Sequence, residues 1–296
     1  MLAQQRFLLP FLAIVLIASL IEAMILSRNR GFDWRAAAVS VGDMLGRRVL
    51  LLAGISTAGL ILDALWHHRI ATVQLGDAET FLLLFIGQEF CYYWYHRALH
   101  RIRWFWLTHS VHHSPNELTL SAAYRIGWLQ NLTGGAAFFA PLVWVGFRPQ
   151  AVIVALALNL LYQFWLHTTW IPRLGWLEYV LNTPSAHRVH HAANIEYLDA
   201  NYGGVLIIFD RLFGTYVPER SDLPCRYGLV RPQTSRNILR VEFDPWISLV
   251  RDMVRAGSVR EVVGLLFAPP GWRADGEGET TEDLRRRHAN TDPSVA

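Results

Sequence analysis

Lysine is absent from this sequence: all 27 basic residues are arginine, spread along the chain without a clustered basic stripe. With a net charge of only +3, that distribution excludes the concentrated electrostatic footprint of a nucleic-acid partner. Cysteine is almost absent too. Cys91 lies in an apolar stretch and Cys225 in a polar one, and the two form neither a metal spacing nor a disulfide framework. The HExxH pattern, in which a helical glutamate between two ligands acts as base, does not occur, so metal-assisted hydrolysis loses its best motif. Charge is scarce as well: 17% of the 296 residues are charged and 52% are hydrophobic, a balance outside the usual range of a soluble domain.

What is abundant is apolar sequence. Residues 7–26 and 127–147 read as the clearest spanning helices, and 49–66, 80–100 and 149–169 as apolar runs interrupted by a few polar residues. The expectation is an all-α, multi-pass integral membrane protein with about four to five transmembrane helices. The opening "MLAQQRFLLPFLAIVLIASLIEAMILSRNR" has an apolar run of about 20 residues, long enough to span, and reads as a retained anchor rather than a signal peptide. Arg28, Arg30, Arg35, Arg47 and Arg48 fall between the first two runs while only Arg6 precedes the first, which places that loop in the cytoplasm. Alternation then puts "HHRIATVQLGDAE" outside and every dense histidine group on the cytoplasmic face. Beyond residue 169 the periodicity shortens into a cytosolic, histidine-rich helical cap. Residues 236–268 contain an amphipathic stretch suited to the cap or the membrane surface. From Pro269 the chain is rich in Gly, Arg, Glu and Asp and reads as a disordered tail. The expected units are 1–78 (N-terminal helices and loops), 79–218 (catalytic), 219–268 (amphipathic extension) and 269–296 (tail).

Eight of the twelve histidines form three spaced groups: His96 and His100; His109, His112 and His113; His187, His190 and His191. Residues three and four apart share a helix face, so each group can aim two or three imidazoles at one point. Neutral imidazole is the commonest protein ligand for transition metals. A lone interfacial histidine is most simply part of a polar helix face, and His67, His68 and His288 are read that way. Three groups at ligand spacing are not. Asn159, Gln163 and His167 recur at four-residue steps, as do Glu89, Tyr93, His96 and His100 with one three-residue step, and polar stripes in apolar helices usually face a protein interior or cavity. Asn159 and Tyr93 can equally serve helix packing; His167, at the end of its run, is a candidate ligand. One zinc uses three or four protein ligands, so eight or nine histidines suit two metals with four or five nitrogens each.

The segments "WYHRALH", "THSVHH" and "HRVHH", with spacings HxxxH, HxxHH and HxxHH, resemble the histidine boxes of the fatty acid hydroxylase/sterol desaturase superfamily of integral-membrane di-iron oxygenases. The stretch "NLLYQFWLHT" and the run from "LGWLEYVLNTPSAHRVHH" to "RLFGTYVPE" are similar to the alkylglycerol monooxygenase branch and to bacterial sterol desaturase family proteins. The resemblance covers roughly residues 80–218. It implies a membrane-bound non-haem di-iron oxidoreductase acting on a lipid C–H bond with dioxygen. It also implies two iron ions held by His96, His100, His109, His112, His113, His187, His190 and His191, with His167 as a ninth ligand. Some relatives carry a further histidine where this chain has Gln163. No HPGG haem motif occurs, so electrons come from a separate redox partner, or from tetrahydrobiopterin if the alkylglycerol branch applies. C–H attack needs a redox metal, which favours iron over zinc. Glu89, Gln163, Asn182, Asp199, Asn201 and Asp210 are candidates to orient the ligands from behind. Hydroxylation is favoured over desaturation; the alternatives are a zinc-dependent membrane hydrolase and a histidine-rich metal transporter or store.

Overall fold

The computed structural model describes residues 2–29 and 31–291, with side chains described within 13–29 and 31–290. Twelve α-helices follow in order among the described residues: α1 (Leu2–Asn29), α2 (Trp34–Leu52), α3 (Ala58–His67), α4 (Ala78–Arg101), α5 (Arg103–His112), α6 (Ala140–Val145), α7 (Pro149–Phe164), α8 (Pro184–His190), α9 (Ile208–Leu212), α10 (Ile238–Arg255), α11 (Val259–Phe267) and α12 (Thr281–Thr291). Short 3-10 turns connect several of them, and the described residues hold no strand beyond two isolated bridges. The all-α expectation holds.

The expected spans do not hold as drawn: among the described residues no helix is long and apolar enough to cross a membrane. Each departure has a local cause. The run 127–147 is broken where Gly134 and Gly146 adopt φ of 86° and 132°, leaving 3-10 turns and the six-residue α6. The run 49–66 breaks between Ala53 and Thr57 into α2 and α3. Helix α7 has 16 residues, roughly 24 Å of rise against a hydrocarbon core of about 30 Å. Helix α4 has 24 residues, but charged and histidine side chains interrupt its apolar run. Residues 7–12 of the first expected span lie outside the residues whose side chains are described.

Helix α4 is the spine. Asp77 caps its start by accepting the Thr80 N–H at 2.8 Å. Its apolar face (Tyr92, Tyr95, Leu99) packs against Leu62 of α3, Leu142 and Val143 of α6, and Val152 of α7. At Ile102 the backbone turns extended (φ −125°, ψ 117°), ending α4 and starting α5 in a new direction, so two histidine-bearing helices meet at an angle. Behind α5, Leu107 is sealed by Leu249 of α10 and Leu265 of α11, with Trp104, Trp246 and Trp272 around them. The amphipathic stretch thus covers α5 with one face. The Gly- and charge-rich end is ordered as far as it is described: α12 bonds back through Glu282 to Arg101 at 2.5 Å and through Arg285 to the Leu198 carbonyl at 2.6 Å. Residues 292–296 of the expected disordered tail lie outside the described residues.

Two acids from distant helices hold the segment after α5. The buried Asp43 of α2 accepts the N–H groups of Ile126 (3.1 Å) and Gly127 (2.9 Å), and Glu242 of α10 accepts that of Trp128 (2.8 Å). Burial, followed by the proximity of Asp43, pushes the Glu242 carboxyl up to about 9, so it stays protonated at neutral pH. An acid with a raised folded value stabilises fully below its unfolded value near 4.5, and that contribution is lost as pH rises towards 9. Glu242→Gln should therefore keep the fold at pH 7 and flatten the decline of stability between pH 5 and 9. A thermal-unfolding series with the wild-type slope would reject this reading.

Candidate metal centre

Helices α4, α5 and α8 and the residue His167, three beyond α7, bring nine imidazoles together. One group is His96, His100, His109, His113 and His190; the other is His112, His167, His187 and His191. The ligand atoms within each group lie within 4.8 Å of one another. Successive helix residues point about 100° apart, so each adjacent pair divides: His113 joins the first group and His112 the second, His190 the first and His191 the second. In α5 the i,i+4 pair His109/His113 serves the first group, whereas in α8 the i,i+4 pair His187/His191 serves the second. The pair His96/His100 on α4 has its counterpart in Gln163/His167, and there the second group carries one imidazole fewer.

The nitrogens face inward. Nε2 of His109 lies 3.1 Å from Nε2 of His96, 3.1 Å from that of His100 and 3.2 Å from that of His113. In the second group the Nε2 separations are 3.1 Å for His187–His167, 3.1 Å for His191–His187 and 3.4 Å for His112–His167. Two nitrogens at right angles around a metal at about 2.1 Å are roughly 3.0 Å apart, so the spacing suits a shared cation.

Protonation is fixed from behind. The Nδ1 of His96 faces the Tyr202 carbonyl (2.8 Å), that of His112 the Arg125 carbonyl (2.7 Å), that of His167 the Gln163 carbonyl (2.9 Å) and that of His190 the Ala200 carbonyl (2.9 Å). A carbonyl only accepts, so each Nδ1 carries the proton and each Nε2 keeps its lone pair. The buried Nε2 of His190 has no hydrogen-bond partner, the state of a nitrogen that awaits a cation. Burial, reinforced by neighbouring imidazoles, drops His109, His113, His187, His190 and His191 well below the ordinary 6.5. Burial likewise takes His112 to about 4 and His167 to about 3. Neutral donors of this kind fit a transition metal.

Of the residues expected to orient the ligands, Asp199 alone has its side chain against an imidazole, 3.4 Å from Nδ1 of His100, while it also pairs with Arg101 at 2.7 Å. Burial would raise its pKa, but His100 and Arg101 hold it at about 2. The others act through the backbone. Asp199 and Asn201 take left-handed φ of 54° and 58°, a conformation Asp and Asn tolerate, and the chain so bent aims the Ala200 and Tyr202 carbonyls at His190 and His96. Asp210 accepts the N–H groups of Tyr202 and Gly203, both at 2.7 Å. Asn201 donates to the Ala186 carbonyl, Asn182 to that of Gly203, and Glu89 accepts from Val205 and Leu206. The Gln163 side chain receives the Tyr92 hydroxyl proton and donates to Asn159, which donates to Glu89. Tyr93 packs away from the imidazoles, bonded to Thr215.

Sequence reasoning passed over the carbonyls of Arg125, Ala200 and Tyr202, which have no side-chain signature. It also passed over Glu178, which accepts the Ser185 hydroxyl at 2.5 Å and so anchors the start of α8, and the Arg188–Glu219 pair (two contacts of 2.7 Å) that locks α8 outward. Trp106 went unnoticed too; its ring sits 5.2 Å from that of His100 and 5.6 Å from that of His113. His67 and His68 stand apart on the end of α3, and His288 pairs with Glu196 at 3.2 Å.

A cavity of about 190 Å³ reaches the imidazoles: His96 and His109 of the first group and His112 and His167 of the second line it beside Gln163, together with Leu99, Phe139, Leu156 and Phe164. Both groups thus open onto one mostly apolar space.

Residues 81–215 match the model of the fatty acid hydroxylase family. Alkylglycerol monooxygenase of Danio rerio is 40% identical over 235 residues (79% of this chain, 51% of the relative), and that of Xenopus tropicalis 36% over 220 (74% and 48%). An ornithine lipid hydroxylase of Rhizobium tropici is 30% identical over 151 residues (51% and 46%). The chain spans about half the length of the curated relatives it matches. No solved structure matches. All three histidine boxes and His167 fall within the matched stretch, and residues 81–215 are thereby a fatty acid hydroxylase family domain.

Proposed function

We propose that this chain is a membrane-bound di-iron monooxygenase that hydroxylates a lipid C–H bond, with ether lipids of the alkylglycerol type as the first substrates to try. The observation that carries this reading is the gathering of nine largely buried imidazoles into groups of five and four, two of each group lining one mostly apolar cavity. All nine candidate histidines act as ligands in it. When bound, two irons would supply the redox chemistry that turns dioxygen into an oxidant for an unactivated C–H bond. The overall change is one oxygen atom into the C–H bond and the other into water, with two electrons and two protons from an external donor, a separate redox protein or tetrahydrobiopterin.

The chain's own residues do the rest. The backbone carbonyls at 125, 163, 200 and 202 hold the Nδ1 protons of their histidines and so keep Nε2 turned to the metal. Leu99, Phe139, Leu156 and Phe164 exclude water and receive an alkyl chain. The cavity brings that chain to Gln163 beside the second group, whose four imidazoles, one fewer than the first group's, would hold its metal. No carboxylate lines the cavity among the described residues, which leaves a zinc hydrolase without a base for its water. Membrane residence is supported by exposed apolar residues on α3, α4, α6 and α7, among them Leu60, Phe81, Leu83, Trp144 and Ile153, and by the one-sided gathering of the histidines, which we read as facing the cytoplasm.

Labelled dioxygen tests the reaction. Membranes containing the protein, given hexadecylglycerol and a reductant, should yield a hydroxylated lipid or its breakdown product with one labelled oxygen atom. A new double bond without label would mean desaturation, and a product formed without oxygen would overturn the oxygenase reading.

A further inference from the structure

The cavity is not wholly apolar. Arg47 of α2 and Gln130 of the 3-10 turn Gln130–Leu132 both line it, and each carries a buried polar atom with no hydrogen-bond partner: Nε of Arg47 and Oε1 of Gln130. The rest of the Arg47 guanidinium is loosely held. One terminal nitrogen reaches the Tyr124 carbonyl at 3.4 Å, and the nearest carboxylate, Asp43, lies 3.9 Å from Nε. Gln130 donates its amide to the Tyr95 hydroxyl at 2.5 Å, which leaves the amide oxygen over. By charge pattern Arg47 reads as a marker of membrane orientation, but its side chain reaches the same cavity as His112 and His167.

Buried polar atoms are rarely left unpaired, and two of them on residues that line one cavity indicate the chemistry of the group that completes them. Guanidinium Nε–H can only donate, and the amide oxygen can only accept. A hydroxyl does both. A phosphate would satisfy Arg47 but turn an anionic oxygen towards Oε1 of Gln130, and a bare alkyl chain would leave both atoms unpaired. If the amide is reversed, its nitrogen donates instead, and the lone pairs of a hydroxyl still complete it.

We propose that Arg47 and Gln130 form a head-group subsite that selects a lipid carrying free hydroxyls and, by pinning that head, fixes which carbon faces the imidazoles. This rests on the lipid-monooxygenase reading for its consequence but not for its test. A site built to bond a hydroxyl rejects the analogue that lacks it, because its own polar groups are then stranded.

Binding is measured directly on the purified full chain in detergent, with tritiated 1-O-hexadecylglycerol and its 2,3-di-O-methyl ether, whose head keeps the oxygens but loses the hydroxyl protons. The intact protein should bind the free diol at least about 10-fold more tightly than the methylated ether. Gln130→Leu and Arg47→Leu should each remove most of that preference by weakening diol binding, with metal content unchanged. Gln130→Leu is decisive if Arg47→Leu fails to fold, because Gln130 makes one side-chain bond whereas Arg47 also faces Asp43. Equal affinities in the intact protein, or a preference that survives Gln130→Leu, would overturn the subsite. A preserved preference in a protein that turns over neither lipid would sink the reaction and leave the subsite standing.

Discussion

On the proposed di-iron lipid-monooxygenase reading, His113→Ala should strip the protein of one metal ion out of two and lower its lipid turnover by more than about 100-fold, beyond the roughly 10–100-fold cost of losing a partner behind a ligand. The reason lies in how the adjacent pair divides. His113 Nε2 sits 3.2 Å from that of His109 within the five-histidine group, while its neighbour His112 belongs with His167, His187 and His191. Removing His113 opens the first position and leaves the second with all its imidazoles. His187→Ala should do the reverse: its Nε2 lies 3.1 Å from those of both His167 and His191, so its loss takes the centre out of the four-histidine group. Iron per chain by plasma mass spectrometry, read beside turnover, checks both. Two ions retained in either variant with activity within a few-fold of the intact protein would remove that residue from the site. Loss of both ions in each single variant would show one cooperative unit instead of two positions.

Much of the site was legible because its chemistry is periodic. Spacings of three and four residues on helices mark His109, His112 and His113, and His187, His190 and His191, as groups that each share a helix face, and the four-residue step from Gln163 singles out His167. The division of the HH pairs between two groups was not visible, since it depends on how α4, α5 and α8 are set against one another, with α5 turning off α4 at Ile102. The supporting shell was half legible. Asp199 could be named as a carboxylate near a box, but the groups that take Nδ1 protons are carbonyls, and any residue has a carbonyl; the trace they leave is the left-handed backbone at Asp199 and Asn201, types that tolerate it. The apolar runs misled for a related reason. Hydropathy sums composition over a window and does not see that Gly134 and Gly146 turn the chain within one. The segment 127–147 is apolar because it walls the cavity and packs on α4, through Phe139, Leu142 and Val143, which requires no continuous helix. Arg47 shows the same limit from the polar side: charge counting assigned it to a loop, and only the fold of α2 against the 124–130 segment brings it to the cavity.

Stripped of metal, the protein should lose its structure on mild acidification, beginning near pH 6.5 rather than in the carboxylate range near 4. The sign follows from the direction of the histidine shifts. Burial lowers the folded values of His112 to about 4 and His167 to about 3, and holds His109, His113, His187, His190 and His191 well below 6.5. Between those values and 6.5 the unfolded chain binds protons that the folded chain refuses, so stability is intact above 6.5 and is lost as pH falls through the window. Each such histidine costs up to about 1.4 kcal/mol per pH unit, so His112 and His167 alone amount to roughly 2.7 kcal/mol per unit. Two units of pH therefore remove roughly 5.4 kcal/mol through these two alone, the low end of a total stability of about 5–15 kcal/mol, and the other five imidazoles add to the loss. A bound metal opposes this, since it binds the neutral imidazoles of the folded state and adds about 2.7 kcal/mol when free metal is 100-fold above its dissociation constant. Tryptophan fluorescence followed from pH 7.5 to 4 should therefore show the apo midpoint at least one pH unit above that of the loaded protein. Coincident midpoints would mean that these seven imidazoles are not held neutral by their surroundings, and the case for two preformed metal positions would fall with that result.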